Sequence, residues 1–308
     1  MTRLQFFGRC AVAAVVAVAC AAPGPAAADD GWVVTGPGIT SGISGIAEVD
    51  PGRGSGELLA VHDNKHAGEP RVSRLRIGAA GAAEVRRLRW DGPRLPVDLE
   101  ALSDVPGRPG EFVALESSGR GYHLRLRPRS VRVVREFTVP GVAAGETGEK
   151  GENYESFALV RQGGRLIAVW AHRGQDADPA GLRLARLEWP GLRFGVPRSV
   201  QVTVPYPSER VRHISDADIT VTGRLVTAAA SDPGDDGPFR SAVYDLGRVR
   251  VGTDGEPSPY LRERPVRLGV FGGHKVEAVA CGADASTAVL GTDDENLGGW
   301  VRSGDVCG

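Results

Sequence analysis

The chain has 308 residues, with 37 Lys and Arg against 38 Asp and Glu and a formal net charge of −1 at pH 7. That balance argues against a nucleic acid or an anionic membrane surface as partner, since both call for basic faces. With 43 Gly, 21 Pro and one Met, and no window keeping apolar residues at i, i+3, i+4 and i+7, the composition points to turn-rich β structure rather than helices.

At the N-terminus, Arg3 and Arg9 flank the start of an apolar run, Ala11 to Ala19, that is too short to span a bilayer; Ala26-Ala27-Ala28 follows as a small-residue cleavage pattern. The expectation is a secretory signal peptide over 1–28 and one β domain over 29–308, placed outside the cytoplasm in an extracellular or periplasmic setting. An alternative uses Cys20 as a lipid-bearing N-terminus, because Ala17-Val18-Ala19-Cys20 loosely resembles a lipobox that lacks its leucine. No later stretch is long and apolar enough for a membrane span. Export leaves Cys281 and Cys307, and two cysteines in an oxidising compartment are expected to pair; the other reading is two buried, inert thiols.

Beyond Trp32-Val33-Val34, a short β-type run, one pattern recurs along the chain. It is Ser41-Gly42-Ile43-Ser44-Gly45-Ile46, then Asp98-Leu99-Glu100-Ala101-Leu102, Asn153-Tyr154-Glu155-Ser156-Phe157, Ser215-Asp216-Ala217-Asp218-Ile219 and Lys275-Val276-Glu277-Ala278-Val279. Aligned on Ser44, Glu100, Glu155, Asp216 and Glu277, the spacings are 56, 55, 61 and 61 residues. Each marker opens a strand-like run, followed by a turn, a second run ending in polar residues, and further short strands. A repeat of that period built from about four strands is a propeller blade. The sequence therefore predicts an all-β single propeller of five blades. Its fifth blade is one strand short, and the Trp32-Val33-Val34 run is expected to fill that gap and remove a free sheet edge.

In such a blade, the start of the inner strand and the end of the second strand share one mouth of the channel. The pattern would bring Glu100, Glu155, Asp216 and Glu277 there from the first set. Asp63, Glu116, Asp232 and Asp293 would come from the second, with His172 in the third blade. So many carboxylates at one opening repel unless a cation or basic side chains offset them, and hard oxygen donors suit calcium. The candidate ligand-binding residues are Asp63, Glu100, Glu116, Glu155, Arg173 and Glu277. Candidate metal ligands are Asp216, Asp232, Asp293, Asp294 and Glu295, the last three within the acidic turn Asp293-Asp294-Glu295-Asn296. Glu100 and His172 are the candidates for proton transfer. Repeated polar residues also serve as hydrogen-bond partners between adjacent blades, and that reading stays open for each of them. Lys65, Arg120, Arg173 and Lys275 stand near the same rim.

The elements Ser41-Gly42-Ile43-Ser44-Gly45-Ile46, His62-Asp63-Asn64, Asp98-Leu99-Glu100-Ala101-Leu102 and Asp293-Asp294-Glu295-Asn296-Leu297-Gly298 resemble those of secreted bacterial phytase-like and SdiA-regulated propellers, a group described by "esterase-like activity of phytase". The resemblance implies a polar, calcium-loaded channel and hydrolysis of phosphoric esters, with Asp63, Glu100, Glu155, Glu277 and Asp293 at the positions of the motif acids. Ser44 in place of an acid, and His172 in the third blade, depart from that pattern. The functional expectation is an exported, monomeric propeller whose acid-lined channel binds a divalent cation or small ligand. The alternative is a calcium-assisted phosphoric-ester hydrolase.

Overall fold

Strands account for nearly all regular structure, because alternating apolar side chains along each run must be buried on both faces at once. A computed structural model describes residues 31–51, 56–78, 82–141, 153–284 and 287–308. The expected signal peptide over 1–28, and Cys20 within it, lie outside the described residues. Among the described residues no helix is long and apolar enough to cross a membrane.

The strands form five antiparallel, four-stranded units in chain order. The first comprises β2 (Gly45–Glu48), β3 (Glu57–Val61), β4 (Val72–Ile77) and β5 (Ala83–Asp91). The second holds β6 (Leu99–Asp104), β7 (Glu111–Glu116), β8 (Arg120–Leu126) and β9 (Ser130–Thr138). In the third, β10 (Tyr154–Gln162), β11 (Arg165–His172) and β12 (Ala180–Glu188) are completed by β14 (Arg198–Val202), with the two-residue β13 (Arg193–Phe194) beside it. The fourth is β15 (Val211–Ile219), β16 (Arg224–Ser231), β17 (Arg240–Val251) and the 16-residue β18 (Pro257–Gly272). The last unit holds β19 (Val276–Cys281), β20 (Ala288–Thr292) and β21 (Gly299–Gly304), and its outer strand is β1 (Val33–Gly36) from the start of the domain. The N-terminal strand thus closes the last unit, as the sequence predicts. Two outer strands, β5 and β9, also pair in parallel through Arg89–Asp91 and Ser130–Arg132.

The inner strands adjoin in the cyclic order β2, β6, β10, β15, β19 and back to β2. The buried apolar clusters follow the same cycle, one between each pair of neighbouring units. Period-2 alternation explains it: along β11, Ile167 and Val169 face the fourth unit while Ala168 and Trp170 face the second. Both faces being covered, β7 and most of β11 read as continuous apolar runs. This is a β-propeller. Its close inner packing shows at Gly45, where an added Cβ would lie 2.7–2.9 Å from the β6 backbone at Ala101 and Leu102.

Cys281 and Cys307 form a disulfide spanning 26 residues, tying the C-terminal tail to the last inner strand. Closing a loop of that length is worth about 3 kcal/mol in the chain-entropy account. The Cys281→Ser, Cys307→Ser double variant is therefore expected to unfold at distinctly lower denaturant concentration than the wild type. An unchanged midpoint would show that the tail contributes nothing to closure.

Candidate functional site at the channel mouth

A cavity of about 390 Å³ opens where the inner strands begin, and charged side chains dominate its wall. Asp63, Asp98, Glu100, Glu155, Glu277, Asp293 and Glu295 line it, with Lys65, Arg173, Arg212 and Lys275 among them. Local structure explains the convergence. The last pairs of the inner hairpins are Leu99↔Glu116, Tyr154↔His172 and Val276↔Thr292, and in each the register slips at the next inner residue. Those next residues are Glu100, Glu155 and Glu277, which the irregularity turns into the channel.

In the fourth unit the corresponding pair is Val211↔Ser231, so the next inner residue is Arg212, not Asp216. This corrects the expected placement of Asp216. Its carboxylate lies between inner strands, accepting hydrogen bonds from the Val279 and Ala217 amides at 2.7 and 2.8 Å. It does the work of a backbone acceptor between neighbouring units. Asp218 repeats the device, taking the Cys281 amide at 2.7 Å.

The second-strand set needs the same kind of correction. Glu116 is outside the cavity: its Oε1 accepts from the Val97 amide (3.0 Å) and the Tyr122 hydroxyl (2.6 Å), and its Oε2 from Ser118 at 3.0 Å. His172 is likewise absent from the wall. Its Nδ1 accepts from the Gly174 amide at 3.3 Å, and its ring lies so close over Gly181 that a Cβ there would sit 2.5 Å from Nε2. Arg173, one residue on, is the side chain that reaches the mouth. Asp232 sits beside the cavity rather than on it, accepting from Arg212 Nη2 at 2.7 Å. Asp294 turns inward to the His274 ring (2.6 Å) and the Lys275 amide (2.6 Å). Of the acidic turn, Asp293 and Glu295 line the cavity and Asp294 braces it.

His66 lines the cavity, whereas His62 and His213 are structural. His62 is buried, with Nε2 2.8 Å from Ser73 Oγ, and burial pushes its pKa down to about 4. His213 bridges the Val204 amide and the Asp176 carbonyl at 3.2 and 2.9 Å.

Two kinds of charge arrangement divide the mouth. On one side, Arg212 is a largely enclosed hub. Its Nη1 donates to Glu277 at 2.6 Å and lies 3.7 Å from Glu155, while Nε and Nη2 hold Asp232. Lys275 pairs with Glu277 at 3.2 Å and with Glu295. Burial works against both cations, yet the carboxylates outweigh it and raise the pKa of each.

On the other side, Asp63, Asp98 and Glu100 each present an oxygen, all within 4.8 Å of one another. Lys65, 55% exposed, pairs with Asp98 at 2.9 Å. Burial first, and then neighbouring carboxylates, push Asp63 up to about 6 and hold Glu100 well above the usual carboxylate range. Asp293 is raised by the same causes. Between the two sides stands Glu155, only 1% exposed, whose two oxygens accept no hydrogen bond. Its contacts are ion pairs with Arg173 and Arg212 at 3.6 and 3.7 Å, and burial leads in pushing it up to about 7.

Asp98 adds a backbone feature. Its φ is +64°, one of five positive values at non-glycine residues among the described residues, and Glu295 at +50° is another. Left-handed backbone away from glycine costs on the order of 1 kcal/mol, and its presence at two mouth carboxylates marks a geometry the surrounding structure enforces. Sequence reasoning placed Asp98 in the marker but not in the site. Its register match with Asn153 and Lys275, two residues before the mouth glutamates, was the available signal.

No protein-family model and no curated protein matches this chain. Among solved structures it is similar to a glycoside hydrolase, with a TM-score of 0.48, 12% identity, and coverage of 87% of this chain and 62% of that one. It is also similar to the PQQ domain of pyranose dehydrogenase from Coprinopsis cinerea in its holo form (TM-score 0.45, 10% identity, 88% of this chain and 94% of that one). A chain of the COPII outer coat vertex on membranes gives a TM-score of 0.40 at 9% identity, covering 85% of this chain and 69% of that one. Likeness this distant carries no activity, ligand or partner to the present chain.

Proposed function

We propose that this chain is an exported, monomeric five-bladed propeller of the phytase-like kind whose channel mouth binds a divalent cation, calcium by its donor chemistry, together with a small ligand. The observation that carries the reading is the convergence of Asp63, Asp98 and Glu100, three carboxylate oxygens within 4.8 Å. All are hard oxygen donors of the type calcium takes in number. The raised pKa values of Asp63 and Glu100 support the same reading, because burial first, and neighbouring carboxylates second, disfavour their charge, and a bound cation would offset both. Glu155, whose oxygens accept no hydrogen bond, lines the same cavity. Asp63, Asp98 and Glu100 would hold the ion. The disulfide is consistent with an oxidising, extracellular or periplasmic location.

Calorimetric titration of calcium into chelator-treated protein tests the proposal directly. Saturable binding at the mouth is expected, and silence in the wild type would sink it. Lys65 is the resident competitor for Asp98, so Lys65→Met is expected to tighten calcium binding several-fold. Unaltered or weaker affinity in that variant would place the ion elsewhere.

A second reading, a phosphoric-ester hydrolase, is favoured by one observation. Arg173 lines the same cavity, is 24% exposed, and among the described residues pairs with Glu155 at 3.6 Å. It is the mouth guanidinium most available to an anionic oxygen. Glu155, with its pKa at about 7, is suited to hold and release a proton at neutral pH. A bound calcium would supply Lewis-acid polarisation of the ester. Turnover of p-nitrophenyl phosphate that needs calcium, Arg173 and Glu155 together would favour this reading over simple binding.

A further inference from the structure

The opposite end of the channel has a cavity of its own, of about 280 Å³, formed where the inner strands end. Its wall is chemically unlike the first mouth. Val49, Val105, Leu159, Val160, Ile219 and Val221 give it an apolar surface, and four acidic residues share the wall: Asp50, Asp104 at the end of β6, Glu111, and Asp218 near the end of β15.

Among the described residues nothing neutralises Asp104 and Asp218. The two guanidiniums on the wall are engaged elsewhere: Arg108 lies over the Trp189 ring at 5.9 Å and near Glu111, and Arg161 donates to the Gly164 carbonyl at 3.4 Å. Among the described residues no Lys, Arg or His forms an ion pair with Asp104 or Asp218. Asp218 is satisfied by the Ile219 and Cys281 amides, both at 2.7 Å. The Asp104 carboxylate has its own backbone amide as the hydrogen bond that favours its charge, and it receives none from a neighbouring residue. Burial, then Asp218 and Glu48, push it up to about 7, as expected of a carboxyl in an apolar recess lacking a counter-charge.

We propose that this far-mouth cavity is a second ligand site, and that it takes a small organic ammonium, a protonated amine carried on an apolar body. A bare metal ion is the poorer fit. Asp218 has committed both oxygens to backbone amides, and Glu111 is held by Arg125 at 2.8 Å and His123 at 3.0 Å, so the wall leaves few uncommitted oxygens toward the six or more that calcium takes. An ammonium needs fewer acceptors: Asp104 receives one N–H, Asp218 lends charge, and the apolar body buries surface against Leu159, Val160 and Ile219. Such a division, an apolar cavity with a few placed polar groups, is the usual form of a small-molecule site.

The test uses the full chain, with hexylammonium as probe and 1-hexanol as its uncharged control, each titrated by calorimetry. Hexylammonium is expected to bind the wild type at least about tenfold more tightly than hexanol, and to lose roughly tenfold in Asp104→Asn, about 1.4 kcal/mol. Val221→Arg, at a position 59% exposed, adds a fixed positive charge at the rim and should weaken the amine without disturbing the fold. Glu100→Gln at the other mouth should leave amine binding unchanged, which separates this site from the calcium proposal. Equal affinity for amine and alcohol, no amine binding in the wild type, full affinity in both Asp104→Asn and Val221→Arg, or a loss confined to Glu100→Gln would each overturn it.

Discussion

Replacing Arg212 with methionine is expected to cost the folded protein about 3 kcal/mol, the cost of removing one partner from a buried ionic cluster. The side chain is 13% exposed and holds Glu277, Asp232 and Glu155 from three successive units of the ring. Without it, Glu155 and Glu277 face each other across the channel with only Arg173 and Lys275 to offset them. Denaturant midpoints read the loss. Adding Glu277→Gln to Arg212→Met should recover part of it, since one uncompensated charge is then gone. The surface pair of Arg193 and Glu188, 78% and 45% exposed, is the control: Arg193→Met should leave the midpoint unmoved. If Arg212→Met behaves like Arg193→Met, the enclosed hub contributes no stability and the account of the mouth is wrong.

Glu100→Gln is expected to weaken calcium binding by at least about tenfold, roughly 1.4 kcal/mol, while leaving the fold intact or slightly steadier. Calcium affinity should also rise between pH 5 and pH 8. The sign follows from proton competition. Asp63, with a pKa of about 6, holds a proton at pH 5 that a cation must displace, and Glu155 in the same cavity, at about 7, gains its charge over the same range. Their folded values lie above those of the unfolded chain, so the folded state binds more protons between about pH 4 and 7. The stability these groups contribute is therefore present at low pH and lost as pH rises through 6 and 7. Calcium should offset that loss, most at pH 8 and least at pH 5. Proton release on binding, measured in buffers of different ionisation enthalpy, would tie the effect to these carboxyls; pH-independent affinity would detach it from them.

The strand repeat and the recurrence of acids near each inner-strand start were legible because they rest on composition and spacing. The exact faces were not. His172 lies one residue from the side chain at the mouth, and in a strand a one-residue slip moves a side chain to the other face. Arg173 rather than His172 therefore reaches the channel, while Glu116 bonds Tyr122 inside the second unit. The slip in the fourth unit is larger: Asp216 was matched to the mouth glutamates, whereas Arg212 occupies that step. An apolar residue followed by a long charged one, Leu99-Glu100, Tyr154-Glu155, Val211-Arg212 and Val276-Glu277, was the pattern to follow, with sign of charge ignored. β18 carries little strand signal of its own, because its 16 residues mix Pro, Arg and exposed apolar side chains with little alternation.

The sequence by itself determined the all-β class, the repeat and the strand that closes the ring. Those follow from alternation, turn residues and the removal of a free edge, all short-range or compositional effects. Only the tertiary structure decided which charges meet. The Asp63–Asp98–Glu100 group, the Arg212 hub and the apolar recess at Asp104 each join residues from different units. Their chemistry depends on distances and desolvation set by closure of the ring, and neither quantity is written in the order of residues along one strand.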